Sequence, residues 1–87
     1  MKELIEEFFG LDDLFKNTRQ REYIEARSLH DYILYHYKEY KYAQIAAMRS
    51  KKHANAWHSV QRFESHRKYN RRLNLFISLY GYKFKKQ

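Results

Sequence analysis

Apolar and polar positions alternate along this chain with a helical period. Leu4, Ile5, Phe8 and Phe9 recur at i, i+1, i+4 and i+5 with acids between them, which predicts a short amphipathic helix over Lys2 to Phe9. Gly10 stands just beyond, where helices commonly stop. Leu11, Leu14 and Phe15 keep helical spacing and predict a brief second turn or a staple on the core. Asn17 and Thr18 offer capping chemistry before a long helix, about Arg19 to Lys38. Its inward stripe is Ile24, Ser28, Leu29, Tyr32, Ile33 and His36, with Glu25, His30, Asp31 and Lys38 facing water. A short helix follows, about Tyr42 to Met48, with Ile45 and Met48 inward and Ala43, Ala46 and Ala47 small enough for close approach.

Ser50 is the N-cap candidate for the next helix, about Lys51 to Lys68. There Ala56, Val60, Phe63 and Trp57 form the buried stripe, and Lys52, Asn55, Ser59, Arg62 and His66 a polar face. Leu73, Phe76, Ile77 and Tyr80 mark a closing helix from Arg71 to Leu79, separate from the previous one or nearly continuous with it. Gly81 ends it, and residues 82–87 read as a flexible basic tail. The prediction is a single all-α domain spanning 1–87, a compact bundle of four to five helices. A short helix, a tight link and a longer basic helix give it helix-turn-helix anatomy.

Composition sharpens this. With no proline and only two glycines, the 87 residues lack the turn chemistry of a β-rich fold. An aromatic content of 18% suits a packed core rather than disorder. Without cysteine there is no disulfide framework, thiolate metal site or thiol nucleophile. No apolar run approaches a membrane span, and the acidic N-terminus does not resemble a signal peptide, so a cytoplasmic protein is expected.

Charge points to a partner. The net charge is +8, with a pI near 9.8. Residues 1–15 carry −4 and residues 16–87 carry +12. The basic excess peaks at 16–21, at 49–53, and through Arg62, Arg67, Lys68, Arg71 and Arg72. Clustered cations of this kind are the footprint of a nucleic-acid binder, against the plainer reading of a solubilising surface. An anionic membrane fits less well, because no segment pairs a basic face with a strongly apolar one.

The residues then resemble a family. Ile5 to Arg27, with Phe9-Gly10, Leu11-Asp12-Asp13-Leu14, the basic cluster Lys16 to Arg21 and the Ala26-Arg27 step, is similar to the opening of the C-terminal DNA-binding domain of the bacterial replication initiator DnaA. Gln44-Ile45-Ala46 stands where that family has Glu-Ile-Gly, and His53-Ala54-Asn55-Ala56-Trp57-His58 where it has His-Thr-Thr-Val-x-His. The correspondence spans roughly residues 5–63. The resemblance implies a Trp-repressor-like helix-turn-helix fold that binds double-stranded DNA. It places Arg19 in the minor groove from the loop before the long helix, and Lys52, His53, Ala54, Asn55 and His58 at the start of the recognition helix. It favours a phosphate contact for Arg27, which a pairing with Glu25 or Asp31 would also explain. Asn55 suits adenine, and Lys52 suits guanine or a phosphate. The family's Gly-Gly-Arg-Asp link is about one residue shorter here, its acid is Lys52, and its two threonines are Ala54 and Asn55, so a shifted DNA target is expected.

The DNA-binding candidates are Arg19, Arg21, Arg27, Lys51, Lys52, His53, Asn55, His58 and Arg62. No phosphate-loop motif is present, so an ATPase is not expected. His53 and His58 lie about 140° apart on a helix, which suits zinc poorly. His53 reads equally as a residue packing beneath the recognition helix, His30 and His66 as surface residues, and His36 as a core-edge one. No catalytic residue, metal or cofactor is assigned. Trp57 reads as core rather than a stacking platform. Tyr35, Tyr37, Tyr40 and Tyr42 crowd one helix end, where they pack together or form an exposed patch. With the basic face, such a patch suggests the alternative of a module that binds a replication or regulatory protein. RNA is a weaker third reading, since no RNA-binding domain pattern is present. No heptad seam is visible, so a monomer is expected.

Overall fold

The computed structural model describes residues 1–48, 51–66 and 71–81. They form five helices and, among these residues, no strand: α1 (Lys2–Phe9), α2 (Arg21–His36), α3 (Tyr42–Ala47), α4 (His53–His66) and α5 (Arg71–Tyr80). The all-α architecture follows the hydrophobic period. The expectations placed on Ser50, Arg67, Lys68, the His66 side chain and the tail 82–87 lie outside the described residues.

α1 ends at Gly10, whose φ of 70° is left-handed and lets the Leu11 N–H close onto the Glu6 carbonyl at 2.8 Å. A residue with a β-carbon would be strained there. α2 is shorter than the sequence suggests at both ends. It begins at Arg21 with Gln20 as N-cap, while the Thr18 hydroxyl accepts the Gln20 N–H at 3.3 Å, so Arg19 stays in the loop. It stops at His36, because Glu39 turns to a φ of 59° and the Tyr40 N–H folds back onto the Leu34 carbonyl. α3 opens with the Gln44 side chain accepting the Lys41 N–H at 2.8 Å.

α2 is the central element and packs against α1, α3, α4 and α5. The main core joins Ile5, Phe9 and Leu14 to Ala26, Leu29, Tyr32 and Ile33, then to Val60, Phe63, Leu73 and Phe76. A smaller core of Leu34, Ile45, Ala46 and Ala56 fixes α3 against α2 and α4. Phe63 lies on Tyr32 with ring centroids 4.3 Å apart. Gly81 is buried against Tyr37, where an added β-carbon would come within 3.3 Å of the ring.

Several expected faces are corrected. His30 and Asp31 are buried, not solvent-facing, because the segment after Gly10 folds over α2: Phe15 meets the His30 ring edge-on at 5.1 Å, and His30 Nδ1 sits 3.1 Å from Asp31 Oδ1. His36 is turned outward to Glu64 (3.0 Å), while Tyr23 and Ala26 are buried beyond the expected stripe. Met48 and Trp57, expected inside, are exposed by 46% and 44%. Ala56, Val60 and Phe63 already fill the space beneath α4, so no room remains for an indole. Ser59, expected on the polar face, is buried among them.

Candidate functional site

The loop before α2 is built from the acids of the N-terminal segment. Asp12 accepts the Tyr23 hydroxyl, the Asp13 N–H at 2.9 Å and the Lys16 ammonium at 3.3 Å. These donors, the Tyr23 hydroxyl foremost, hold the Asp12 carboxyl down at about 2. The same contact raises the Tyr23 phenol, and Asp12 raises Lys16. Glu6 accepts the Leu14 N–H at 2.6 Å, and Lys2 bridges Glu6 and Asp13 at 2.9 and 3.2 Å. Arg27 completes the clip. Its guanidinium reaches from α2 to the Lys16 and Thr18 carbonyls, and its Nε donates to the Tyr23 carbonyl at 3.1 Å.

This loop forms one wall of an open cleft of about 500 Å³. Asn17, Thr18 and Arg19 line that wall, Ile24 and Arg27 the α2 side, and Lys51 with Asn55, His58, Ser59 and Arg62 the opposite wall. Asn55, Ser59 and Arg62 share one flank of α4 by helical spacing. Four cations and no carboxylate line the space. Among the described residues, Arg19, Lys51, Lys52 and Arg62 have no acid within ion-pair distance. Such a concavity focuses positive potential on whatever enters it.

Six of the nine sequence candidates therefore meet: Arg19, Arg27, Lys51, Asn55, His58 and Arg62. Three do not line the cleft. Arg21 extends from the outer face of α2 and pairs with Glu25 at 3.0 Å. Lys52 is exposed in the link before α4. His53 opens α4 with its ring edge-on to Tyr42, at 5.6 Å. Arg27 uses guanidinium donors on the Lys16 and Thr18 carbonyls and so ties the loop that carries Arg19 to α2. Sequence reasoning missed Asn17, Thr18, Ile24 and Ser59 as lining residues. Only Ser59 had a signal, at i+4 from Asn55.

The tyrosine-rich end of α2 is packed. Tyr35 stacks on Tyr42 at 4.2 Å with rings 5° from parallel. Burial, then the Tyr35 hydroxyl, push the Tyr42 phenol up to about 12. Arg72, in the third basic peak, is engaged on α1: it reaches the Phe9 carbonyl at 3.5 Å and lies 4.8 Å over the Phe9 ring. No described helix is long and apolar enough to cross a membrane. Among the described residues no three histidine, aspartate or glutamate side chains gather as a metal site. Compared with protein families, curated proteins and solved structures, the chain matches none of them.

Proposed function

We propose that the protein binds double-stranded DNA as a monomer. α3 and α4 act as a helix-turn-helix pair, the start of α4 enters the major groove, and Arg19 enters the adjacent minor groove. The observation that carries this reading is the cleft: a loop arginine and the flank of α4, with Lys51 at its approach, stand on opposite sides of one cationic channel that no carboxylate lines. Major and minor grooves are separated by a single sugar-phosphate strand. A protein that reaches both must seat that strand between its two contacts, and a channel of this charge suits it. Lys51, Arg62 and the remaining charge of Arg27 neutralise phosphates there. Asn55 and His58 present donors and acceptors toward base edges. Guanidinium in a narrow minor groove is favoured by its negative potential. The likeness of residues 5–63 to the initiator's DNA-binding domain supports the same placement. Lys52, Ala54 and Asn55, where that family has an acid and two threonines, make a displaced target sequence part of the proposal.

The test is fluorescence anisotropy with a DnaA-box duplex, its scramble and a random pool for selection, across a salt series. The expected result is binding that enriches one motif and weakens linearly in log salt, with a slope of about −3 to −4 if all four cations of the channel displace counterions. Equal, weak binding to all duplexes reduces the protein to a non-specific basic domain. Absence of binding at low salt overturns the proposal.

A further inference from the structure

The outer arc of α4 has two flanks, and the cleft occupies only one. The helix is anchored by Ala56, Ser59, Val60 and Phe63. At about 100° per residue, Arg62 and Trp57 project to opposite sides of the outward direction, about 140° from one another. Arg62 belongs to the cleft; Trp57 lies outside it. Trp57 is 44% exposed, and His58 meets its ring edge-on at 5.0 Å. A large, exposed hydrophobe thus stands on an arc that also carries Asn55, His58, Arg62 and, at its edge, Glu64. A helix lying in a major groove touches both walls. With one strand seated in the cleft, the Trp57 flank meets the other. The one apolar feature that bases offer in that groove is the C5-methyl of thymine.

We infer that Trp57 reads thymine, its indole lying against a C5-methyl on the groove wall opposite the strand seated in the cleft. This rests on the DNA-binding reading and adds a specificity contact that the basic residues do not supply. Trp57 is the chain's one tryptophan, so its emission reports the contact directly.

The experiment uses the full chain and the duplex enriched by selection, replacing each thymine in turn by uracil, which removes only the methyl. At one position the replacement is expected to weaken wild-type binding about fourfold, the value of one buried methyl group. Trp57→Ala is expected to bind thymine and uracil duplexes equally there, and Trp57→Phe to keep part of the discrimination. Circular dichroism establishes that both variants fold. In the wild-type complex the indole is expected to become shielded from iodide. A flat uracil scan, unchanged discrimination in Trp57→Ala, or an indole still open to iodide in a saturated complex overturns the inference while leaving DNA binding intact. If no duplex binds at low salt, the DNA reading fails and this inference fails with it.

Discussion

The loop between α1 and α2 and the first turns of α4 face one another across the cleft, yet they use charge in opposite ways. In the loop, the acids are closed on local partners. Asp12 takes Tyr23, Lys16 and a backbone N–H; Asp13 takes Lys2 and the Phe15 N–H; and Glu6 takes Lys2 and the Leu14 N–H. Those carboxylates shape the chain locally, and little of their field is left for a partner. On the α4 side, Lys51, Lys52 and Arg62 have no carboxylate within ion-pair distance among the described residues, and the helix is held mainly by apolar packing with a His36–Glu64 contact at its far end. Four of the chain's cations line this one channel, with no carboxylate among the lining residues. On one wall the acids are paired locally, and Arg19 alone of its cations is left without an acid among the described residues. The other wall is available because its cations have no such partners.

The most severe way to break this contrast is to remove the packing beneath both walls. Phe63 is fully buried, and its ring lies on Tyr32 of α2. Phe63→Ala is expected to cost about 3–5 kcal/mol, a large part of the stability of a domain this small. Urea unfolding measures it, and the variant is expected to lose any DNA affinity together with its helical signal. Retained stability would mean that α4 is held by something other than this core.

Next in size are changes that leave the fold but alter the channel. Asn55→Ala is expected to cost about 1–3 kcal/mol of DNA affinity and relax specificity at one base pair. Arg62→Ala is expected to lower the salt slope by about one unit with little change in specificity. Arg21→Ala is the control: Arg21 stands outside the cleft and pairs with Glu25, so affinity is expected to move by less than about 0.5 kcal/mol. If Arg21→Ala weakens binding as much as Arg62→Ala, the cleft is not the site.

How far the sequence leads can be seen in the same two regions. Helix order, Gly10 as the stop of α1, and most core residues follow from period and turn chemistry. Six candidates named from clustered charge and from the family resemblance line one cleft. The failures have physical causes. A single inward stripe was assigned to α2, which has neighbours on four sides. His30 and Asp31 were therefore placed in water, although Phe15 and the loop cover them. The pattern of α4 puts Trp57 in the buried stripe, but three smaller residues of α4 already fill the available space. Arg27 shows another limit. Its donors turn to the Lys16 and Thr18 carbonyls, and backbone acceptors carry no residue-type signal in a sequence.

The rings of Tyr35 and Tyr42 extend the contrast to alkaline pH. Tyr42 titrates at about 12 against an ordinary value of 10, chiefly because it is buried. Neutral Tyr42 therefore stabilises the fold fully below pH 10, and that contribution is lost as pH rises through 12. Alkaline unfolding followed by circular dichroism is expected to begin in that window, and Tyr42→Phe to remove part of the pH dependence. An unchanged profile would place the titrating group elsewhere.

The smallest effect is at Asp12, and it isolates the closed side of the comparison. Asp12 titrates at about 2, below its ordinary 3.8, because of the Tyr23 hydroxyl, the Asp13 N–H and Lys16. The folded state thus binds the proton less readily than the unfolded one. The resulting stability is complete above pH 4 and disappears as pH falls through 2. Asp12→Asn keeps an oxygen for the Tyr23 hydroxyl and the Asp13 N–H but discards the charge that Lys16 meets. Its thermal midpoint at neutral pH is expected to fall slightly, and the difference from wild type to close on acidification between pH 4 and 2. DNA affinity is expected to hold or rise a little, because removing a carboxylate from the segment that carries Arg19 makes that wall more positive. A clear loss of affinity at unchanged stability would show that the charge of Asp12, and not only its hydrogen bonds, sets the position of Arg19.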